Sequence, residues 1–163
     1  TAAIDFTGTD AVSYWGGVQK LQDHTRGILF ELGTDATTVN GTFSSSAPGS
    51  DGGTGFGFVS RGTSWALADA PGYAAPDKAV LTAQGRISTD TASLQVNLNS
   101  PVSTGADQGI NAYISAPAYF GARAGTAFFF NGQLYSSVCL GRVATTEELT
   151  KTRAWVNDRT GAY

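Results

Sequence analysis

The chain has 163 residues, of which 41% are hydrophobic, only 14% charged and 21 are glycine, with a formal net charge of −3. Charged residues usually make up about a quarter of a globular domain, so this is a β-rich, turn-rich module with a neutral surface, long enough to bury a core as one domain, 1–163. Its Lys and Arg are scattered without a basic stripe, which argues against nucleic acid or an anionic membrane as partner, and no run approaches the ~18 apolar residues of a membrane span.

From the N-terminus, Ile4 and Phe6 alternate with polar neighbours. A turn at 7–10 leads into Val12, Tyr14, Gly16 and Val18 against Ser13, Trp15, Gly17 and Gln19, and this period of two predicts a strand. Gly16 and Gly17 in mid-strand predict a bulge, or a place where another backbone or a ligand comes close. Ile28, Phe30 and Leu32 form a second strand that is apolar on both faces, hence central. Residues 41–46 read as a weak edge strand of small residues, and 47–55 as the most flexible segment.

Phe56 and Phe58, then Trp65, Leu67 and Asp69, predict a hairpin about Arg61-Gly62. Pro71 to Pro76 form an irregular loop carrying Tyr73. Strands are expected over 79–87 and 93–98, the latter amphipathic with one face toward water or ligand. Residues 100–118 read as a long loop, a kind of segment that is often functional, and 119–121 as a short strand. Next, Phe128 to Phe130, Asn131-Gly132 and 133–140 predict a hairpin closed by a type I′ turn. The helix after it opens at Thr145, with Glu148 completing a capping box and Ala144 and Leu149 as a staple, and stops at Gly161. Trp155 is its expected anchor on a sheet. About eleven short strands and one helix predict an antiparallel sandwich or barrel.

The segment FGARAGTAFFFNGQLYSSVCLGRVATTEELTKTRAWVNDRTG resembles the closing part of laminin-G-like, concanavalin A-like domains of bacteriophage and prophage virion proteins. FTGTDAVSYWGGVQKLQD, RGILFELG, NGTF and SRGTSWA are similar to successive strands of the same family. The resemblance implies an all-β, two-sheet antiparallel jelly-roll sandwich with one C-terminal α-helix. It also implies a place on the virion surface, in a tail fibre, tail tip or head fibre, or otherwise outside the cell. The implied partners are bacterial surface polysaccharide or another receptor and other virion subunits, with a homo-oligomer as a family expectation. Ser136-Ser137-Val138-Cys139 departs from the more aliphatic strand usual there, and the family has no fixed set of sugar-binding residues to carry over. The chain starts at Thr1 and has no Met, so a piece of a longer polypeptide is expected.

Chemistry is sparse. Sandwich glycosidases need two carboxylates on one sheet face, whereas the only Glu residues are Glu31, Glu147 and Glu148, and the positions two away from Glu31 are Leu29 and Gly33. Glu147 and Glu148 open the helix, so no enzyme is expected. His24 belongs to a polar turn, and no G-x-S-x-G elbow accompanies it. The single Cys139 reads as a small buried apolar residue. Calcium, if any, would use Asp51 and Asp107, whose alternative reading is as turn formers beside Gly. A sugar needs an aromatic face and nearby amides, for which Trp65, Tyr73, Asn111 and Tyr113 are the candidates, while Trp15 and Trp155 read as core. Two rivals to a glycan-binding virion module remain: a purely structural oligomerisation or attachment domain, and an accessory carbohydrate-binding module of a larger enzyme.

Overall fold

The computed structural model of the chain describes residues 3–163. Eleven strands form two antiparallel sheets. In chain order they are β1 (Ala3–Asp5), β2 (Ala11–Lys20), β3 (Ile28–Leu32), β4 (Thr42–Ser46), β5 (Phe56–Arg61), β6 (Trp65–Ala70), β7 (Asp77–Arg86), β8 (Thr91–Val96), β9 (Val102–Thr104), β10 (Ser115–Phe120) and β11 (Gly132–Leu140), followed by one helix, α1 (Thr146–Thr160). The six-stranded sheet runs β1-β10-β3-β4-β5-β6 and the five-stranded sheet β11-β2-β7-β8-β9. This is the expected jelly-roll sandwich with a C-terminal helix. Among the described residues no helix is long and apolar enough to cross a membrane.

Alternation along the strands fills the space between the sheets. Val12, Tyr14 and Val18 of β2 meet Phe30, Phe43, Phe56 and Phe58 of the facing sheet, with Leu81, Ala83, Leu94 and Val96 completing the layer. Phe43 lies at the centre of an aromatic network: it stacks on Phe30 at 5.3 Å and meets Phe6 and Tyr113 edge-on at 5.4 Å. Such pairs add directional attraction to burial, which restricts how the sheets slide. β3 is central and buried along its length, as its two apolar faces predicted. β4, expected at an edge, lies instead between β3 and β5. Its small residues pack closely under covering loops, so low hydrophobicity here marks tight cover and not an edge.

The predicted Asn131-Gly132 hairpin does not form. Phe128 to Asn131 are not a strand, and neither Asn131 nor Gly132 has a positive φ. β10 belongs to one sheet and β11 to the other, so this stretch must cross the corner of the sandwich. Its backbone is tied by Ile28 N–H to Phe128 O (2.9 Å), Phe130 N–H to Gly121 O (2.8 Å) and Leu21 N–H to Asn131 O (3.0 Å). Gly132 is required by close approach: a side chain there would collide with Gln19 O and the Phe130 ring.

A second apolar cluster lies outside the sandwich, where α1 covers β2 and β7 through Trp15, Val80, Ala144 and Val156. The predicted capping box is present, with Glu148 N–H donating to Thr145 Oγ1 (3.2 Å) and Thr145 N–H to Glu148 Oε2 (2.9 Å), and Gly161 closes the helix at φ 63°. Trp155 is not the anchor. It is 44% exposed, with the Arg159 guanidinium 3.5 Å from its ring centre. Val156 and Thr160 face the sheet instead, because the helix descends onto Gly17, where a Cβ would run into the Thr160 hydroxyl and Val156. The bulge predicted at Gly16-Gly17 is on the partner strand, between Leu134 and Ser136 of β11.

Two outcomes follow from this seat. Gly17→Ala wedges the helix off the sheet and lowers stability by about 1–3 kcal/mol, the usual cost of overpacking, measured by urea unfolding. The Glu148 carboxyl is held at about 2, first by its bonds from the Arg142 guanidinium and then by Thr145 N–H. Its unfolded value is the higher one, so its stabilisation is full above pH 4.5 and fades as pH falls toward about 2. Thermal midpoints of Glu148→Gln should therefore drop less across that window than those of the parent protein.

Candidate functional site

A hollow lies on the outer face of the six-stranded sheet, away from α1. Its floor is Val59 of β5 and, paired with it, Leu67 of the edge strand β6. In β6 the even-numbered residues Ala66, Ala68 and Ala70 turn inward, which sends Trp65 and Leu67 outward. Trp65 is 47% exposed and flanks the floor. Arg26, Thr37, Gly49, Ser50, Asp51 and Phe128 complete a groove of about 370 Å³.

Loops held by hydrogen bonds form the walls. The 47–55 loop lies over Gly57, closed by Gly49 N–H to Gly55 O (3.0 Å). It is joined to the 21–27 turn by Arg26 N–H to Asp51 Oδ1 (2.6 Å) and Gly52 N–H to His24 O (3.1 Å). Thr37 is fixed through its carbonyl by Arg61 Nη1 (2.7 Å) and through its hydroxyl and N–H by Asp35 Oδ1. Beneath these walls, Glu31 of β3 is fully buried and receives Arg123 Nε at 3.1 and 3.2 Å and Ala36 N–H at 2.9 Å. Arg123 Nη1 reaches Asp35 at 2.9 Å.

Two guanidinium groups flank the Phe128 ring, Arg123 at 4.9 Å and Arg26 at 5.8 Å from its centre. They differ in what they hold. Arg123 is committed to Glu31 and Asp35, whereas Arg26 has no carboxylate within ion-pair distance among the described residues, and its Nε is buried without a partner. Burial, and next the neighbouring Arg123, lower its affinity for its own proton. Glu31, Asp35 and Asp51 act in the opposite direction from beyond ion-pair distance, so what an incoming carboxylate adds at Arg26 is hydrogen bonding to a guanidinium whose donors are still open.

The four residues expected to form a sugar platform do not come together. Trp65 alone lines the groove. Tyr73 is half-buried, packed on Phe56 with its hydroxyl accepting from Asn99 Nδ2 (2.8 Å), and it anchors its own loop. Its carbonyl accepts from Lys20, a fully buried lysine that also binds Asp23 and Thr54 O. Tyr113 is 1% exposed and belongs to the core, its hydroxyl 2.6 Å from Ser60 Oγ. Burial pushes that phenol above its usual range. Asn111 spends its side-chain oxygen on Ala112 N–H (2.9 Å).

Asp51 and Asp107 lie beyond opposite ends of β5, the first tied to Arg26 and the second accepting from Gly109 N–H (2.6 Å) in a loop bonded to Ser64. The described residues contain no group of three or more His, Cys, Asp or Glu side chains arranged to hold a metal. The Cys139 thiol is pushed up to about 12 by burial, a thiol at neutral pH. Sequence reasoning missed Arg26 and Phe128. A solitary arginine between a turn and a buried strand, in a chain short of charge, was the available signal for the first; the hairpin motif concealed the second.

No protein-family model matches the chain, and no curated protein sequence matches it. Solved structures do match. The CBM40 of the Ruminococcus gnavus IT-sialidase, bound to α2,3-sialyllactose, superposes with a TM-score of 0.64 at 14% identity, over 94% of this chain and 96% of that one. The heptameric SAP-like pentraxin of Limulus polyphemus gives 0.68 at 9% identity, over 94% and 73%. Domains LG4-5 of the mouse laminin α1 chain give 0.58 at 14%, over 86% and 40%. The chain shares their jelly-roll fold. Identities this low establish fold alone.

The two arginines should separate in mutagenesis. Arg123→Ala strands a buried carboxylate and costs about 3–5 kcal/mol, while Arg26→Ala changes stability by less than about 1 kcal/mol. Denaturant unfolding of both variants checks the contrast.

Proposed function

We propose that this chain is a non-enzymatic glycan-binding module whose ligand lies in the Trp65 groove, and that it favours sugars carrying a carboxylate. The observation carrying this is the pairing of an exposed Trp65 with an unpartnered Arg26 across one groove. An aromatic face stacks on the C–H face of a pyranose, and hydroxyls and backbone groups read its oxygens. Ser50, Thr37 and Asp51 supply such groups in the lining of the same groove. Arg26 adds a fork suited to a planar carboxylate. Support from similarity is that the same fold occurs in a sialidase CBM40 bound to α2,3-sialyllactose.

A binding role is favoured over catalysis by the state of Glu31, which is locked under Arg123 and has no second free carboxylate on its strand. The virion setting, with bacterial surface polysaccharide as ligand and other virion subunits as neighbours, is supported by the sequence resemblance alone; none of the structures named above is a virion protein. In that setting the groove would be the host-facing surface of a fibre or spike, outside the cell.

A glycan array containing neutral, sialylated and uronate glycans tests the role. Binding concentrated on carboxylate-bearing glycans is expected, abolished by Trp65→Ala. A hydrogen bond to a charged group is worth about 1.5–3 kcal/mol, so Arg26→Ala should weaken it roughly 10- to 100-fold. Tyr73→Ala should matter only through stability. Absence of binding to any glycan would favour a structural module whose groove is filled by another subunit.

A further inference from the structure

Beside the Trp65 groove, on the other side of Phe128, lies a second hollow of about 700 Å³ lined by Gln22, His24, Thr25, Phe129, Phe130 and Asn131. Phe128 lines both hollows, and the 21–27 turn contributes to both, with His24 and Thr25 on one side and Arg26 on the other. Phe129 is 62% exposed in this second hollow.

Phe128 has φ +48°. For a bulky side chain this left-handed backbone is a costly outlier, kept only where its surroundings enforce it. Here the enforcement is visible: Ile28 N–H grips its carbonyl, and two guanidinium groups flank its ring. The consequence is that three successive phenylalanines point in different directions. Phe128 forms the wall between the hollows, Phe129 stands out to solvent, and Phe130 is half-buried against the core. A simple strand would have set Phe128 and Phe130 on one side and hidden the junction.

We infer that the two hollows are consecutive subsites of one extended site, so that the module binds an internal stretch of an acidic oligosaccharide, running from Trp65 past Arg26 and over Phe128 onto Phe129, and not a single terminal sugar. This rests on the glycan-binding role proposed above. Arg26 stands at the junction, where its guanidinium meets the carboxylate of the sugar unit in the Trp65 groove. Gln22 is held by His24 N–H, Thr25 N–H and Thr25 O, which fixes the rim of the second hollow. The next unit stacks on Phe129, with the His24 imidazole and the Asn131 amide within its hollow. Both hollows are open on the surface, which a chain passing through requires and a capped terminal sugar does not.

The test is a length series measured by isothermal titration calorimetry with two sets of probes, α1,4-linked galacturonic acid oligomers and α2,8-linked sialic acid oligomers, each from one to six units. In at least one set, affinity is expected to rise about tenfold between one unit and three, as one added aromatic contact supplies, and then to level off. In Phe129→Ala and in His24→Ala, both at the surface, the ratio of hexamer to monomer affinity should fall toward one. In Trp65→Ala, monomer and hexamer should weaken together. Affinity independent of length, or a length dependence that survives both second-hollow variants, overturns the extended site while leaving the Trp65 groove as a glycan site. No binding at any length in either set also overturns it; the neutral glycans of the array then decide separately whether the groove binds sugar at all.

Discussion

The outer face of this sandwich depends on one buried ion pair. Glu31 sits on the central strand β3 with no access to solvent, and Arg123, reaching in from the 121–131 crossover, is the cation that makes that burial tolerable. The same guanidinium holds Asp35 of the 33–40 loop and flanks the Phe128 ring. One residue thereby ties two pieces of irregular chain to the six-stranded sheet. A buried pair of this kind adds little net stability over an apolar replacement, but it is highly sensitive to loss of either partner. Its contribution here is position: without it the crossover and the 33–40 loop have no common anchor, and the groove between Thr37 and Phe128 loses its walls.

The two outer faces of the sandwich are used differently. On the five-stranded sheet, glycine at position 17 lets the helix descend until Thr160 and Val156 touch the strand, and the space is closed. On the six-stranded sheet the cover is made of loops, which leave gaps between them. Trp15 and Trp65 show the contrast. Each is on a strand and turned away from the central core, yet the first is sealed beneath the helix and the second stays half-open beside a groove. Loops fixed by short hydrogen bonds give a site its shape without filling it, and a rigid, preformed hollow loses less entropy on binding than one that must order first.

Most of the architecture was legible because it rests on local rules. Alternation found most of the strands, although β9 and most of β10 lie in the stretch 100–118 that reads as one long loop; the capping box and Gly161 bounded the helix, and the doubly apolar β3 announced a central position. The failures have a common cause in tertiary geometry. Asn131-Gly132 has the composition of a tight turn, but the preceding strand belongs to the other sheet, so the chain had to cross a corner. Trp155 is the largest apolar residue of the helix, but the close seat on Gly17 admits only Val156 and Thr160. Tyr113 lies in a long loop that folds back over the core, so its loop address said nothing of its burial. Trp65 was legible because β6 alternates with alanine, and one edge-strand tryptophan with small inward neighbours has nowhere to go but out. Arg26 and Phe128 join it only through contacts between segments distant in sequence, which no local pattern encodes.

The chain contains three tryptophans, one buried under the helix, one on the helix surface and one in the groove, and this makes the placement of the site directly measurable. Titrating 15N-labelled protein with the carboxylate-bearing glycan of strongest array signal, and following the three indole N–H resonances, is the most direct measurement. The account predicts that the Trp65 indole shifts and saturates while those of Trp15 and Trp155 stay in place. Movement of the Trp155 indole with Trp65 unchanged would contradict it.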